Sequence, residues 1–381
     1  MSMPALPRGR VKVRPEDFVV EEIAAYPASG VGEHVLVRLT KRDLTTLDVA
    51  RTLARALGCD PREVGIAGMK DKRAVATQTI SLHAPRGVAA HELADRARSL
   101  SLDGIVVHDA TPHGHKIKAG HLAGNRFAID VRDVPLARVG EVTAGLERLA
   151  REGVPNAFGP QRYGVAGDNA TRALAWLRGQ ERGPREPRLQ RLLWSSLQSA
   201  VFDAVLEARR ADGTWATPLD GDVLKLHSSG GLFVCADVRT DGERALAGEL
   251  SPTGPVVGAR VQWAEGRAGE IERRTADDVL GPGFDLTRTR RLGEGTRRAL
   301  RIWIRELRWE VTEGTVGEGP REAIGEPRGH GTACVRVYFV LPKGAYATTV
   351  LGAVVCLTES THDRDDAAPE GNDREESGAL E

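Results

Sequence analysis

Val35, Val37 and Leu39 recur at every second position of HVLVRLTK (34–41), on one face of a strand. VKVRPEDFVVEEI (11–23) alternates in the same way, broken by the turn-forming Pro15-Glu16-Asp17. The period changes over TTLDVARTLARALG (45–58). There Leu47, Ala50, Leu53, Ala54 and Leu57 recur at helical spacing, with a threonine before them and Gly58 behind as caps. GIAGMKDKRAVATQ (65–78) reads as a short strand, a glycine turn holding Asp71, and a second strand. HKIKAGHLAGNRFAIDVRDV (115–134) holds two more strands with basic residues at alternate positions. These elements predict a β-rich α/β (α+β) region, a helix on a mixed, mostly antiparallel sheet.

From about Asn156 the texture changes. DNATRALAWLRG (168–179) and LLWSSLQSAVFDAVLEARRADG (192–213) have helical patterns, separated by the arginine- and proline-rich linker GQERGPREPRLQR. LDGDVLKL and GLFVCADV suggest a hairpin, and the stretch onward to about Asp285 is charged and gives no clear period. GEGTRRALRIWIRELRWEVTEG (293–314) reads as a helix running into a strand. TACVRVYFVLPKGAYATTVLGAVV (332–355) reads as strand, turn and helix. The glycine- and proline-rich loop 314–331 between them lacks the strand–GxxxxGK[ST]–helix context of a phosphate loop.

A length of 381 residues exceeds one ordinary core and favours two domains. No apolar run reaches the roughly 20 residues of a membrane span, and the N-terminal stretch lacks the apolar core of a secretory signal. Cys59, Cys235, Cys334 and Cys356 are scattered without a CxxC, which argues against zinc or a disulfide framework and for a cytoplasmic location. The formal net charge of zero hides an asymmetry. Residues 359–381 carry nine acids and two arginines, leaving 51 basic against 44 acidic residues in the rest. The tail has little to bury and is expected to be disordered; the body, at +7, is compatible with a polyanionic partner.

Several candidate chemistries fall away. His113, His115 and His121 are close in sequence, yet on an exposed basic strand, with no nearby acid or cysteine to complete a shell, they read as solvated, and no metal is expected. No GxSxG marks a serine nucleophile. What remains is a set: KVRPEDFVVEE (12–22) with Lys12 and Phe18, AGMKDKRAVATQ (67–78) with Asp71, GNRFAI (124–129) with Asn125 and Phe127, GVPNAFGPQRYG (153–164), and LPKGAYATTV (341–350) with Tyr346. Taken singly, Asp71 suits a turn residue accepting backbone N–H groups, Phe18 and Phe127 suit a core, and Lys12 suits a solvated charge.

As an ordered set these motifs resemble the TruD family of tRNA pseudouridine synthases, over nearly everything from Lys12 to Leu351. GMKDKRAVATQ is similar to the family's GxKDxxAxTxQ signature, and the other motifs fall in the family's order and spacing. The resemblance implies an enzyme that cuts the N1–C1′ bond of a uridine in tRNA, turns the base and rejoins it through C5, without cofactor or metal. It implies Asp71 as the catalytic carboxylate. Neighbouring cations favour the charged form of an acid and can hold the phosphates on either side of the target. Lys12 matches a supporting active-site lysine; Phe18, Asn125, Phe127 and Tyr346 match positions lining the uridine pocket. The family's usual bacterial target, uridine 13 of the D-arm, and a monomeric state follow on the same ground.

The resemblance further implies a catalytic domain of residues 1–154 plus 306–358 and an inserted TRUD domain of residues 155–305, the two flanking a basic cleft for tRNA. Three positions depart from the family: Ala157 stands where an aromatic is usual, and Tyr163 and Tyr346 where phenylalanine is often found. The alternative is a non-catalytic RNA-binding or RNA-folding protein with a vestigial site, against which Asp71, Lys12 and Asn125 stand together. A glycosidic hydrolase would need a second assigned acid.

Overall fold

A computed structural model describes residues 5–164, 166–313 and 331–359. The expectations on the acidic tail, and on the 314–331 loop short of Gly331, lie outside the described residues. The chain opens with β1 (Arg8–Val11), a 3-10 turn at Pro15–Asp17 where the sequence places one, and β2 (Phe18–Ala24). β3 (His34–Arg42) and α1 (Thr46–Leu57) follow, then β4 (Gly65–Ile66) and β5 (Val75–His83) on either side of the Asp71 turn. Next come α2 (Ala90–Arg98), β6 (Ile105–His113), β7 (Leu122–Pro135), α3 (Val139–Glu152) and β8 (Val154–Pro155).

The middle of the chain supplies α4 (Asn169–Leu177), α5 (Pro187–Ala211), β9 (Val223–Leu226), β10 (Leu232–Val234), α6 (Val238–Leu246), β11 (Leu250–Val256), α7 (Gly266–Leu280), β12 (Thr296–Ala299) and β13 (Arg301–Ile302). It closes with β14 (Arg305–Glu313), β15 (Thr332–Pro342), α8 (Ala347–Gly352) and β16 (Cys356–Glu359).

Ten strands make one mixed sheet, ordered β14-β15-β7-β2-β5-β3-β6, with β1 joining β7 and β16, and β4 joining β5. All its pairs are antiparallel except β2 with β5 and β1 with β16. A four-stranded sheet, β10-β9-β11-β12, and the short pair β8-β13 complete the strands of the described residues. In β8-β13, Val154 faces Ile302 and Pro155 faces Arg301.

Two cores lie side by side on one face of the large sheet, Ala76 of β5 belonging to the first and Ile80 and Leu82, on the same face of that strand, to the second. Val142, Leu146 and Leu149 of α3 pack with Val350 and Leu351 of α8 against Phe18, Phe127 and Phe339. Leu53 and Leu57 of α1 pack with Leu93 and Ala97 of α2 against Val37, Leu39 and Ile80. Fully burying one such leucine is worth about 2 kcal/mol. A third cluster joins α4, α5 and α7 through Ala173, Trp194, Leu197, Ala276 and Leu280.

α1 forms as its sequence predicts: Asp48 donates its backbone N–H to Thr45, and Gly58 closes the helix at φ 68°, a left-handed turn that glycine adopts without a Cβ clash. Its buried stripe differs by one residue, since Val49 is inside and Leu47 outside. The expected 219–238 hairpin is present as β9-β10.

Other expectations need correction. In the stretch 293–314 the described residues, to 313, form β12, β13 and β14 and no helix; Leu300, Ile302 and Ile304, two apart and all buried, set that period. The stretch 115–134 yields the single strand β7, because Gly120 at φ 85° turns the chain just before it. The linker ahead of α5 is partly helical: Pro187 sits in its first turn, where a missing N–H costs nothing.

Candidate active site

Lys41 lies on the same face of β3 as Val35, Val37 and Leu39, and like them it is fully buried. Its ammonium has nowhere to go but inward, and it donates to the backbone oxygens of Leu44 and Asp71, each at 2.6 Å. The turn between β4 and β5 is thereby tied to β3 from below. Thr46 at the start of α1 accepts the Lys70 N–H at 2.9 Å, and Arg73 donates to the Val13 oxygen at 2.6 Å. Gly65 lets β4 approach closely, since a Cβ there would lie 2.4 Å from the Ile117 oxygen.

Three clamps thus fix the backbone around Asp71 while its side chain stays 53% exposed. Lys12 Nζ stands 3.5 Å from the Asp71 carboxylate, its own side chain only 10% exposed. It also lies 4.9 Å from the centre of the Phe18 ring, a cation–π contact that fixes the ammonium from the other side. Lys12 itself has φ 56°, in the left-handed region that non-glycine residues rarely occupy.

The basic residues flanking Asp71 divide their tasks in a way the sequence does not show. Lys70 is buried and pairs with Glu22 at 2.6 Å, so it is turned away from any phosphate; Glu22 also accepts the Thr79 N–H at 3.3 Å. Arg73 serves the backbone. Lys12, just past β1 and 59 positions earlier in the chain, faces the carboxylate.

Of the expected pocket residues, the structure brings Phe18 and Phe127 together edge-to-face at 6.0 Å, with Phe127 stacked on Phe339 at 5.3 Å. Both expected rings are core residues, 3% and 7% exposed. Asn125 sits on β7 directly opposite Glu22 of β2, and its buried Oδ1 has no hydrogen-bond partner among the described residues. Tyr346 is 64% exposed at the start of α8. Among the described residues no hydrogen bond, ion pair or ring contact joins it to Asp71; its phenol acts electrostatically on Arg298 instead.

His113 corrects the reading of an exposed histidine strand: it is 5% exposed, accepts the Ser29 N–H and stacks on Tyr26 at 5.4 Å. Among the described residues no group of histidines, cysteines and acids is arranged to hold a metal.

Lys41 is the residue that sequence reading missed, although a lysine in phase with three buried aliphatics is a visible signal. Burial, its largest influence, and the nearby Lys70 lower its pKa from the ordinary 10.5 to about 8, against the pull of Asp71 and Asp43. Between those values the unfolded chain holds a proton that the folded chain has lost. Stability contributed by this group therefore rises with pH from about 8 and levels off near 10.5. Relative to Lys41→Met, the wild-type protein is expected to gain about 3 kcal/mol over that window, read from urea midpoints at three pH values. A constant difference between the two proteins would refute it.

The family model of tRNA pseudouridine synthase D (TruD) matches residues 7–176 and 184–354, with the Asp71 turn inside the first span. The chain belongs to the TruD family. The tRNA pseudouridine synthase D of Anaeromyxobacter sp. (strain Fw109-5) is 40% identical over 351 residues, 90% of this chain and 91% of that protein. That of a Thermus thermophilus strain is 37% identical over 364 residues, covering 95% and 93%. A solved TruD structure from Methanosarcina mazei, 23% identical, superposes with a TM-score of 0.71 over 93% of this chain and 95% of that one, so the TruD fold spans both. The mixed sheet and its flanking helices accord with the expected fold class.

Proposed function

We propose that this chain is a tRNA pseudouridine synthase acting on uridine 13 of the D-arm, with Asp71 as its reacting carboxylate. The observation that carries the reading is a half-exposed carboxylate held on a clamped turn, 3.5 Å from a nearly buried ammonium. An acid so placed is open to a nucleotide and already aligned by the protein.

Isomerisation breaks the N1–C1′ bond and leaves the uracil as an anion. Asp71 either adds to C1′ or takes a proton from C2′. In both cases the base rotates and C5 bonds to C1′, which expels the Asp71 carboxylate from C1′ in the first route and takes the proton back from Asp71 to C2′ in the second; the C5 proton then leaves to solvent. Lys12 orients the carboxylate in either route.

The target base must leave its stack to reach this point. Tyr346 offers the open aromatic face, and stacking of a base on such a ring is worth about 1–3 kcal/mol. The unpartnered Asn125 Oδ1 is an acceptor that the N3–H of uracil would satisfy. Phe18 and Phe127 act from the core, Phe18 by holding Lys12.

The chain works as a monomer in the cytoplasm, its residues 1–154 and 306–358 forming the catalytic domain around an inserted domain of residues 155–305. Supporting that division, the large sheet draws its strands from both ends of the chain, the four-stranded sheet lies wholly between residues 223 and 299, and β8-β13 pairs the two crossings.

The test uses tRNA tritiated at C5 of uridine. Transcripts with uridine at position 13 are expected to release tritium to water, and otherwise identical transcripts with cytidine there are not. Equal release from both would keep the synthase and reject position 13. No release from either, with tRNA still bound, would leave the RNA-binding alternative.

A further inference from the structure

Arg162 and Arg298 converge on one ring. The guanidinium carbons lie 5.3 Å and 4.2 Å from the centre of Phe158, in the GVPNAFGPQRYG stretch. Two like charges on one phenyl group repel unless something negative stands between or beside them. Neither arginine has an ion pair among the described residues. The carboxylate that acts on Arg298, Asp203, has both oxygens engaged: one accepts the Phe158 N–H at 2.9 Å and the other the Tyr163 hydroxyl.

The donors that are used point the forks in a definite way. Arg162 gives its Nε–H to Ser199 at 3.0 Å, and Arg298 gives Nε–H and one terminal nitrogen to Asn156. Each guanidinium keeps at least one terminal nitrogen with no acceptor among the described residues. Burial and the Arg162 charge both push Arg298 below the ordinary guanidinium value, while Asp203 and the nearby Tyr346 phenol act the other way. A partly buried cation opposed by a second cation is stable when an anion arrives to answer both.

We propose that Arg162 and Arg298 form a subsite for an RNA phosphodiester beside the flipped nucleotide, with Phe158 as the plate on which both guanidiniums rest. The two non-bridging oxygens of a phosphodiester accept from planar N–H forks in the geometry that guanidinium groups present. Tyr346, the exposed ring expected at the uridine pocket, acts electrostatically on Arg298, which supports a phosphate site on the side of the base it would carry. This inference rests on the reading of the chain as a tRNA-modifying enzyme.

The experiment measures tRNA binding by the full chain as a function of salt. Each phosphate contact contributes about −0.7 to −0.9 to the slope of log K against log salt. Arg162→Gln and Arg298→Gln are each expected to flatten the slope by about that amount and to raise KM about tenfold, more than they lower kcat. Arg162→Lys is expected to recover much of the slope, since a point charge still meets a phosphate.

Arg162 is solvent-exposed, so its variant carries the test should Arg298→Gln fail to fold. Arg51→Gln, an exposed charge change on α1, is the control and is expected to leave the slope unchanged. Unchanged slopes in the Arg162 and Arg298 variants, or an equal fall in the control, would overturn the proposal. So would inorganic phosphate binding at these arginines with no change in the RNA slope, which would make the site one for a small anion. Because the readout is binding, the two failures are distinguishable: a wild-type protein that binds tRNA but releases no tritium would sink the synthase reading and with it the flipped nucleotide, while the slopes would still decide whether the two arginines hold a phosphodiester.

Discussion

Asp71→Asn is expected to bind tRNA about as tightly as the wild-type protein and to release tritium from C5-labelled tRNA at least about 1,000-fold more slowly, a loss of about 4 kcal/mol in transition-state stabilisation. The amide has the carboxylate's shape, and the clamps on the turn do not use the side chain: Lys41 holds the Asp71 backbone oxygen and Thr46 holds the Lys70 N–H. The lost ion pair to Lys12 involves a half-exposed acid and is worth no more than about 1 kcal/mol to the fold. Structure and binding should therefore survive while chemistry fails. Tritium release within tenfold of wild type would remove Asp71 from the reaction centre.

Lys70→Met should act oppositely, on stability first. The Lys70–Glu22 pair is 5% and 2% exposed, and removing the ammonium strands a carboxylate with one long backbone N–H bond from Thr79. Breaking a buried pair from one side costs about 3–5 kcal/mol, read as a lower urea midpoint. The double variant Glu22→Leu/Lys70→Met should recover most of it, because the cost lies in the unpaired charge rather than in the loss of attraction. Equal destabilisation in single and double variants would show that the site needs the pair itself. Glu22 faces Asn125 across β2 and β7, so activity in the double variant also reports whether the pair sets the uracil acceptor.

The site was legible in part because its chemistry is local and its geometry is not. The Asp71 turn, with two glycines before it and a strand after, stands out as a segment, and the motif set places Lys12 beside it from far away in the chain. No periodicity links those positions; the family resemblance does. The division of labour among Lys12, Lys41 and Lys70 was not legible, since it depends on which face of β3 or of the turn each lysine takes after three segments meet.

Among the elements, α1 and β3 carry clean periods and were read. α2 and α3 bury short stripes such as Leu93, Ala94 and Ala97 amid many charges, so no period marks them in the sequence. β6 is interrupted by His108 and Asp109, which hides its period as well. In residues 293–314 arginine-rich helix propensity outweighed a two-residue alternation that pairing with β11, β8 and β15 makes decisive.

The left-handed backbone of Lys12 has a consequence for the timing of recognition. A non-glycine residue at φ 56° carries on the order of 1–2 kcal/mol of conformational strain, and core packing around Phe18 sustains it. That energy is committed when the chain folds, before any RNA arrives. The tRNA therefore meets an ion pair already assembled, and its binding energy is left for drawing the base out of its stack rather than for shaping the enzyme.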